Sequence, residues 1–392
     1  MKKKLLATLL SVAMVASLVV GCGSQEAAAP APAAEEAAPA AEEAAPAEEA
    51  APAEEAAPAE AAGEAYHFEI IVKSYQSSYW QAAVKGIEQE AAAKGVTANC
   101  TGPNAESDIA DQVNMLNNAI NSAPQGIGLA ACDQDAVLDS LQTAMDKGIP
   151  VVCFDSGVPN APAGSVVSTV ATDNYSAGST AAENLYPAVK DKIGNGQVRV
   201  GEVNQEATSE SIINRGLGFI DKFAELAAAD GYTVAVIGNE KYVNDCKAEK
   251  ADEASADIVI EVAVPAQTTV ELCATEASAI MNKSDLIAIF GSNQVAAEGI
   301  LTANDTLQIL GSDPANSVLA AGFDAGSVIK GAIQAGTMYG AVTQSPLAMG
   351  ITTIDVLCAA AAGESVSDVP TDGYWYNADN MADDSIAPNL YD

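Results

Sequence analysis

The sequence predicts an α/β protein of two Rossmann-like lobes, each a doubly wound parallel sheet covered by helices on both faces. Three observations predict it. From residue 68 onward, short apolar runs alternate with longer stretches of helical period, the spacing that parallel strands joined by crossover helices require. The alternation comes in two series, and the roughly 328 residues that carry it exceed one ordinary core. Gly95, Gly148 and Gly231 stand where three helical stretches should stop, as expected of a residue that tolerates left-handed backbone.

The chain begins differently. Lys2, Lys3 and Lys4 precede an apolar segment, 5–20, that ends in Val19-Val20-Gly21-Cys22. Residues 1–21 resemble a bacterial lipoprotein signal peptide, which implies cleavage before Cys22 and acylation of its thiol and amine. An uncleaved anchor helix is the alternative, and either arrangement places the folded part outside the cytoplasmic membrane, anchored to it. Residues 22–64 continue as Ala, Glu and Pro in an imperfect repeat, with Pro39, Pro46, Pro52 and Pro58. A proline every two turns breaks a helix, and without aromatic or β-branched residues the segment has too little to bury. It reads as an extended tether, reaching on the order of 100 Å at ~3 Å per residue.

In the first series, strands are expected at 68–73, 97–101, 126–130, 150–154 and 166–171. The second series gives 197–203, 233–237, 258–262, 286–290 and 318–323, followed by 339–343 and 374–376. Amphipathic helices are expected at 80–94, 108–122, 135–147, 176–192 and 210–229, then at 270–283, 325–335 and 347–362.

Charge narrows the partners. The chain holds 17 basic and 53 acidic residues; without the three signal lysines and eleven tether glutamates, 14 and 42 remain. Such a surface repels nucleic acid and disfavours a phosphorylated or acidic ligand. The six cysteines other than Cys22 form no CxxC pair and read as buried free thiols.

In doubly wound sheets, ligands bind beyond the carboxyl ends of the strands. Those ends are polar throughout. The first leads into Lys73, Gln76, Ser77, Tyr79 and Trp80; later ends offer Asp133, Asp155, Ser156, Asp173 and Asn174. The second series offers the loop "GEVNQEATSESIINRGLGF" with Arg215, then Asn293, Asp324 and Gln344. Singly, each is more commonly a cap or turn residue; their recurrence at corresponding places points to a cleft. His67 is the only histidine and stands before the first strand, so neither a Ser-His-Asp triad nor a multi-histidine metal site fits. "GLGF" falls short of a dinucleotide fingerprint, and "DNMADDS" does not match a calcium loop, so no cofactor or metal is expected. A pair such as Asp155 and Asp324 has the chemistry for acid–base work on a glycoside, although no spacing selects it. An aromatic face among carboxylates and amides suits a polyhydroxylated ligand.

"SSYWQAAVKGI", "GIPVVCFDS", "VATDNYSAG", "NRGLGF", "IFGSN", "AAGFDAG" and "GAVTQSP", taken in order, resemble the type I periplasmic binding proteins. The similarity is to their sugar-binding, ribose-binding-protein-like branch, the solute-binding lipoproteins of ABC transporters. It implies two lobes joined by a three-stranded hinge near Thr172, Gln344 and Thr371. One lobe would comprise 66–172 and 344–371, the other 173–343 and 372–392. The resemblance further implies hinge closure on a small polar solute, an ABC permease as partner, a monomeric chain and no catalysis. The family's stacking pair falls on Tyr79 and Trp80, and its polar positions on Ser77, Asp155, Asn293, Asp324 and Gln344. Lys73 and Gln76 would stand on the polar rim.

The chain departs from the pentose-binding pattern. Ser156 stands where an arginine follows the strand-four aspartate, and a second family arginine falls on Ile213, with Arg215 two residues on. A second-lobe aromatic falls near Thr268, with Gln267 beside it. These losses leave open a hexose, a polyol, a nucleoside or another neutral or cationic metabolite. A sensor lipoprotein of the same fold and a surface glycoside-acting enzyme are the rival readings. Lactose-repressor-type regulators share the fold, but the signal and the acidity argue against DNA binding.

Overall fold

A computed structural model describes residues 65–391. The readings of the signal, of Cys22 and of the tether lie outside the described residues. The first sheet collects β1 (His67–Ile71), β2 (Thr97–Thr101), β3 (Gly126–Leu129), β4 (Val151–Phe154) and β5 (Ser168–Thr172), with β12 (Val369–Thr371) arriving from far along the chain. The second holds β6 (Val198–Val203), β7 (Val234–Gly238), β8 (Ile258–Ala263), β9 (Leu286–Gly291), β10 (Leu319–Phe323), β11 (Gly340–Thr343) and β13 (Tyr374–Tyr376). Strand orders are β12-β5-β4-β3-β1-β2 and β13-β11-β10-β9-β6-β8-β7. All pairings are parallel except β11 with β13. The chain therefore passes between the sheets three times: after β5, after β11, and between β12 and β13.

Why these residues make strands is plain from burial. β3, β4, β6, β9, β10 and β11 are buried along their whole length, as parallel strands covered on both faces must be. The edge strand β2 instead keeps half-exposed and exposed positions. β12 escaped the sequence reading because Pro370 interrupts a three-residue run; a proline is tolerated there because β12 lies at the sheet edge.

Helices α1 (Ser78–Lys94) and α10 (Pro346–Ala361) cover one face of the first sheet, and α2 (Ile109–Asn121) and α3 (Leu138–Asp146) the other. Helices α4 (Asn174–Val189) and α5 (Glu210–Ala229) cover one face of the second sheet. Its other face carries α7 (Val270–Met281), α8 (Gln294–Leu307) and α9 (Ser327–Gln334); a short α6 (Glu240–Asp245) follows β7. Neither α6 nor α8 was anticipated. In α8 the signal was present, because Asn293, singled out for its amide, is also the N-cap and accepts from the Ala296 N–H. Gly95 takes the left-handed C-cap of α1.

One pair of helices in each lobe crosses at reciprocal glycines. A Cβ on Gly178 of α4 would strike the Arg215 carbonyl of α5, and one on Gly218 would strike the Tyr175 carbonyl of α4. Gly86 and Gly350 stand in the same relation between α1 and α10, against Leu347 and Ala83. This close approach sets α4 and α5 side by side, so that Arg215 reaches Asn174.

Gly218→Ala should therefore cost about 1–3 kcal/mol through overpacking. Gly331→Ala in α9, where a Cβ meets nothing within 4 Å, should instead gain up to ~1 kcal/mol. Urea unfolding of the two variants checks the opposite signs.

Candidate functional site

The two sheets turn their carboxyl ends toward each other, and each delivers one aspartate by the same device. Phe154 ends β4 and Phe323 ends β10; Asp155 and Asp324 follow with φ of 62° and 72°. Each aspartate N–H still bonds the neighbouring strand, at the Val170 carbonyl (2.9 Å) and the Val342 carbonyl (2.7 Å). Left-handed backbone costs a non-glycine residue on the order of 1–3 kcal/mol, least for Asp and Asn. The turn swings both carboxylates out of the sheets and into the cleft.

On the first lobe, Asp155 accepts from the Tyr79 hydroxyl (2.6 Å) and lies 3.3 Å from the Lys73 ammonium. Tyr79 and Trp80 meet edge to face with centroids 4.9 Å apart, and Trp80 packs likewise on Phe154. The Trp80 indole N–H donates to Glu106 Oε1 (2.8 Å). On the second lobe, the Arg215 guanidinium lies over the Phe323 ring at 3.5 Å and donates to Asn174 Oδ1 (2.7 Å) and the Ser292 carbonyl (2.8 Å). Asp324 accepts from the Gln294 N–H (3.0 Å) and from Gln344 Nε2 (2.7 Å), and the hinge residue Thr172 donates to Gln344 Oε1 (2.8 Å).

Hydrogen bonds close the lobes upon each other. Lys73 Nζ donates to Ser209 and Ser211, both at 3.1 Å, and Gln205 Nε2 donates to Glu106 Oε2 (2.7 Å). The Ser211 N–H donates to Ser156 Oγ (3.2 Å) across the lobes, and within the second lobe Asn293 Nδ2 donates to Gln205 Oε1. Between them remains a void of about 30 Å³, room for a water or two. A ring-sized ligand enters only when the lobes part.

Electrostatics disfavour an anionic occupant. Burial alone would lower the Lys73 ammonium, but Asp155, Glu106 and Glu206 together outweigh it and hold the pKa above the ordinary lysine value. Burial pushes Glu106 and Asp324 up, against the pull of Lys73 and Trp80 on the first and of Arg215 on the second. Two cations thus face three carboxyls, Glu106, Asp155 and Asp324.

Of the thirteen expected residues, the structure brings nine to the cleft wall: Lys73, Ser77, Tyr79, Trp80, Asp155, Arg215, Asn293, Asp324 and Gln344. Ser156 and Asn174 stand one layer behind, holding Ser211 and Arg215. Gln76 and Gln267 are exposed and do not reach the central wall. Gln267 sits in the bend between β8 and α7, where its carbonyl accepts from the Thr269 N–H (2.9 Å); the bend turns Thr268 inward, donating to the Gln205 carbonyl (3.3 Å), and leaves Gln267 exposed. Asp133 and Asp173 cap local turns and the α4 N-terminus. His67 is the first residue of β1 rather than preceding it, and bonds Glu69 and Thr97 away from the cleft.

Glu106, Gln205, Gln294 and Tyr391 were missed. Glu106 follows β2 and Gln205 follows β6, so the strand-end rule covered both. Gln294 stood hidden beside Asn293. Tyr391 had no local signal: the chain end carries it to Tyr79, with centroids 5.7 Å apart, where its hydroxyl accepts from the Ala325 N–H (3.2 Å). The six cysteines of the described residues are free; four are buried, and Cys100 and Cys358 are half-buried. Among the described residues no cluster of three metal-ligating side chains occurs, and no helix is long and apolar enough to cross a membrane.

Two sheets presenting matched polar ends across a hinged cleft define a two-lobed ligand-binding protein. Residues 68–365 match the periplasmic binding protein domain family, and the chain belongs to it, with the type I fold. It is similar to the D-allose-binding periplasmic protein of Escherichia coli (strain K12), 22% identical over 312 residues, 79% of this chain and 88% of that protein. An ABC transporter solute-binding protein from Agrobacterium vitis, solved with bound D-fucose, is 25% identical with a TM-score of 0.68, covering 83% of this chain and 100% of that one. A Brachyspira murdochii structure described as an ABC transporter, LacI family transcriptional regulator, is 29% identical with a TM-score of 0.68, covering 84% and 99%.

Behind Arg215, Glu202 of β6 is fully buried against Gly216; Asn204 bonds its Oε1, and Oε2 has no partner. Burial raises its pKa well above 4.5, so the folded state keeps a proton that the unfolded state releases above about pH 4.5. Stability from this group falls as pH rises through that window. Glu202→Gln removes the effect, so its stability relative to the parent should grow as pH rises above about 4.5, by up to ~1.4 kcal/mol per pH unit. Parallel urea-unfolding curves across that range would exclude a protonated Glu202.

Proposed function

We propose that the protein is the extracytoplasmic substrate-binding component of an ABC importer, capturing a neutral polyhydroxylated solute, a monosaccharide or related polyol, between its lobes. The observation that carries this reading is the facing pair Asp155 and Asp324 beside the Tyr79–Trp80 wall, all inside one cleft formed by both lobes. The carboxylates accept from sugar hydroxyls, the amides of Asn293 and Gln344 exchange with them, and the ring C–H faces pack on the aromatic pair. Two cations against three carboxyls leave no surplus positive charge for a phosphate or uronate. The relatives named for D-allose and bound to D-fucose support a sugar as the class of solute.

In this reading, 66–172 with 344–371 form one lobe and 173–343 with 372–392 the other. A lipid on Cys22 holds the protein at the membrane beside its permease, and it works as a monomer by binding without turnover. When the lobes part, the hydroxyls of the ligand replace the serine and glutamine groups that now satisfy Lys73 and Glu106.

A thermal-shift screen of sugars and polyols tests the reading. A true ligand at ~100 Kd should add ~2.7 kcal/mol. Calorimetry should then show Trp80→Ala and Asp324→Asn each weakening that ligand tenfold or more, with melting otherwise retained. Parent-like titrations from both variants would remove the site, and no shift across the panel would remove the sugar.

A further inference from the structure

We propose that the cleft has two chambers and takes a two-ring solute, a neutral disaccharide or glycoside whose second ring occupies an outer bay at the cleft mouth; this rests on the sugar reading of the inner cleft. The inner void of about 30 Å³ shares a wall with a second space. Ser77, Glu106, Gln294 and Val295 line both it and a bay of about 460 Å³ immediately outside. The bay has the volume of a small-ligand pocket, roughly 300–1,000 Å³.

Both lobes build the bay, so lobe closure forms it. The first lobe supplies the loop after β2 and the start of α1; the second supplies the approach to α7 and the first turn of α8. Gln294 ties the two together across the mouth, its Nε2 donating to Ser78 Oγ (3.2 Å) and Glu298 Oε1 (2.9 Å). The second-lobe wall is made of the small side chains Thr268, Thr269 and Val270, which leaves the space unfilled.

The chemistry of the bay selects its occupant. Val270 and Val295 give apolar surface for the C–H face of a ring, while Asn104, Gln76 and the hydroxyls offer hydrogen bonds at its edge. Its only ionisable groups among the described residues are Glu106 and Glu298, with no lysine or arginine. A second ring bearing phosphate or carboxylate is therefore disfavoured, and one bearing hydroxyls fits. Exposed Gln76, which does not reach the inner wall, acquires a place here.

The test is calorimetric binding of D-glucose, D-allose and D-galactose against maltose, cellobiose and lactose, on the full chain and on Val270→Trp, which fills the bay. At least one disaccharide should bind tenfold or more tighter than its monosaccharide. The variant should erase that advantage while holding the monosaccharide Kd within twofold, which also shows that it folds. Monosaccharide binding with no gain from any disaccharide would overturn the two-chamber cleft, and this comparison on the parent chain stands without the variant. No binding by any saccharide would overturn the sugar reading and this inference together, a separate outcome.

Discussion

The Lys73 ammonium is the constraint on which the cleft depends. Its side chain is fully buried, and a buried charge is tolerated only when paired and hydrogen-bonded. One partner, Asp155, comes from its own sheet; two others, Ser209 and Ser211, come from the opposite lobe. The first lobe thus leaves two of the lysine's donors to water while the lobes are parted, and the opposite lobe's serines take them over on closure. Removing a partner from such a pair typically costs 3–5 kcal/mol, so Lys73 and Asp155 stand or fall together. Asp155 then holds the Tyr79 hydroxyl, and Tyr79 braces Trp80 edge to face, so the aromatic wall is fixed by a charge rather than by packing alone.

The fold repeats this solution on the second lobe with different residues. Asp324 repeats the left-handed turn of Asp155, and Arg215 takes the cationic part, steadied by Asn174 and the Phe323 ring. The reciprocal glycines of α4 and α5 bring Arg215 within reach of Asn174, so a packing detail remote from the ligand sets the position of a guanidinium. Gln344 couples the halves: it lies at the second passage between sheets and touches both Thr172 and Asp324. Movement at the hinge is thereby felt at a carboxylate that lines the cleft.

Much of this was legible in the sequence, for physical reasons that also mark where legibility ends. Buried parallel strands are continuous apolar runs, so β3, β4, β9 and β10 announced themselves, and the aspartates after β4 and β10 followed from the strand-end rule. β12 did not, because an edge position tolerates the proline that argues against a strand elsewhere. Polar loop residues were harder, since Glu106 and Gln205 look like any solvated loop until the opposite lobe is present to meet them. Gln267 illustrates the finest limit: the correct turn was found, but the tight bend there buries Thr268 and leaves the glutamine out. Tyr391 lies beyond any local rule, because only the return of the chain end brings it to Tyr79.

The central claim is that the two lobes part to admit a solute and close around it. Small-angle X-ray scattering of the protein with and without a saturating monosaccharide, chosen by thermal shift, tests it most directly. Hinge closure on the sugar should reduce the radius of gyration on binding, relative to a ligand-free form whose lobes stand apart. An unchanged radius of gyration at demonstrated saturation would contradict it, and would place the bound sugar somewhere other than between the lobes.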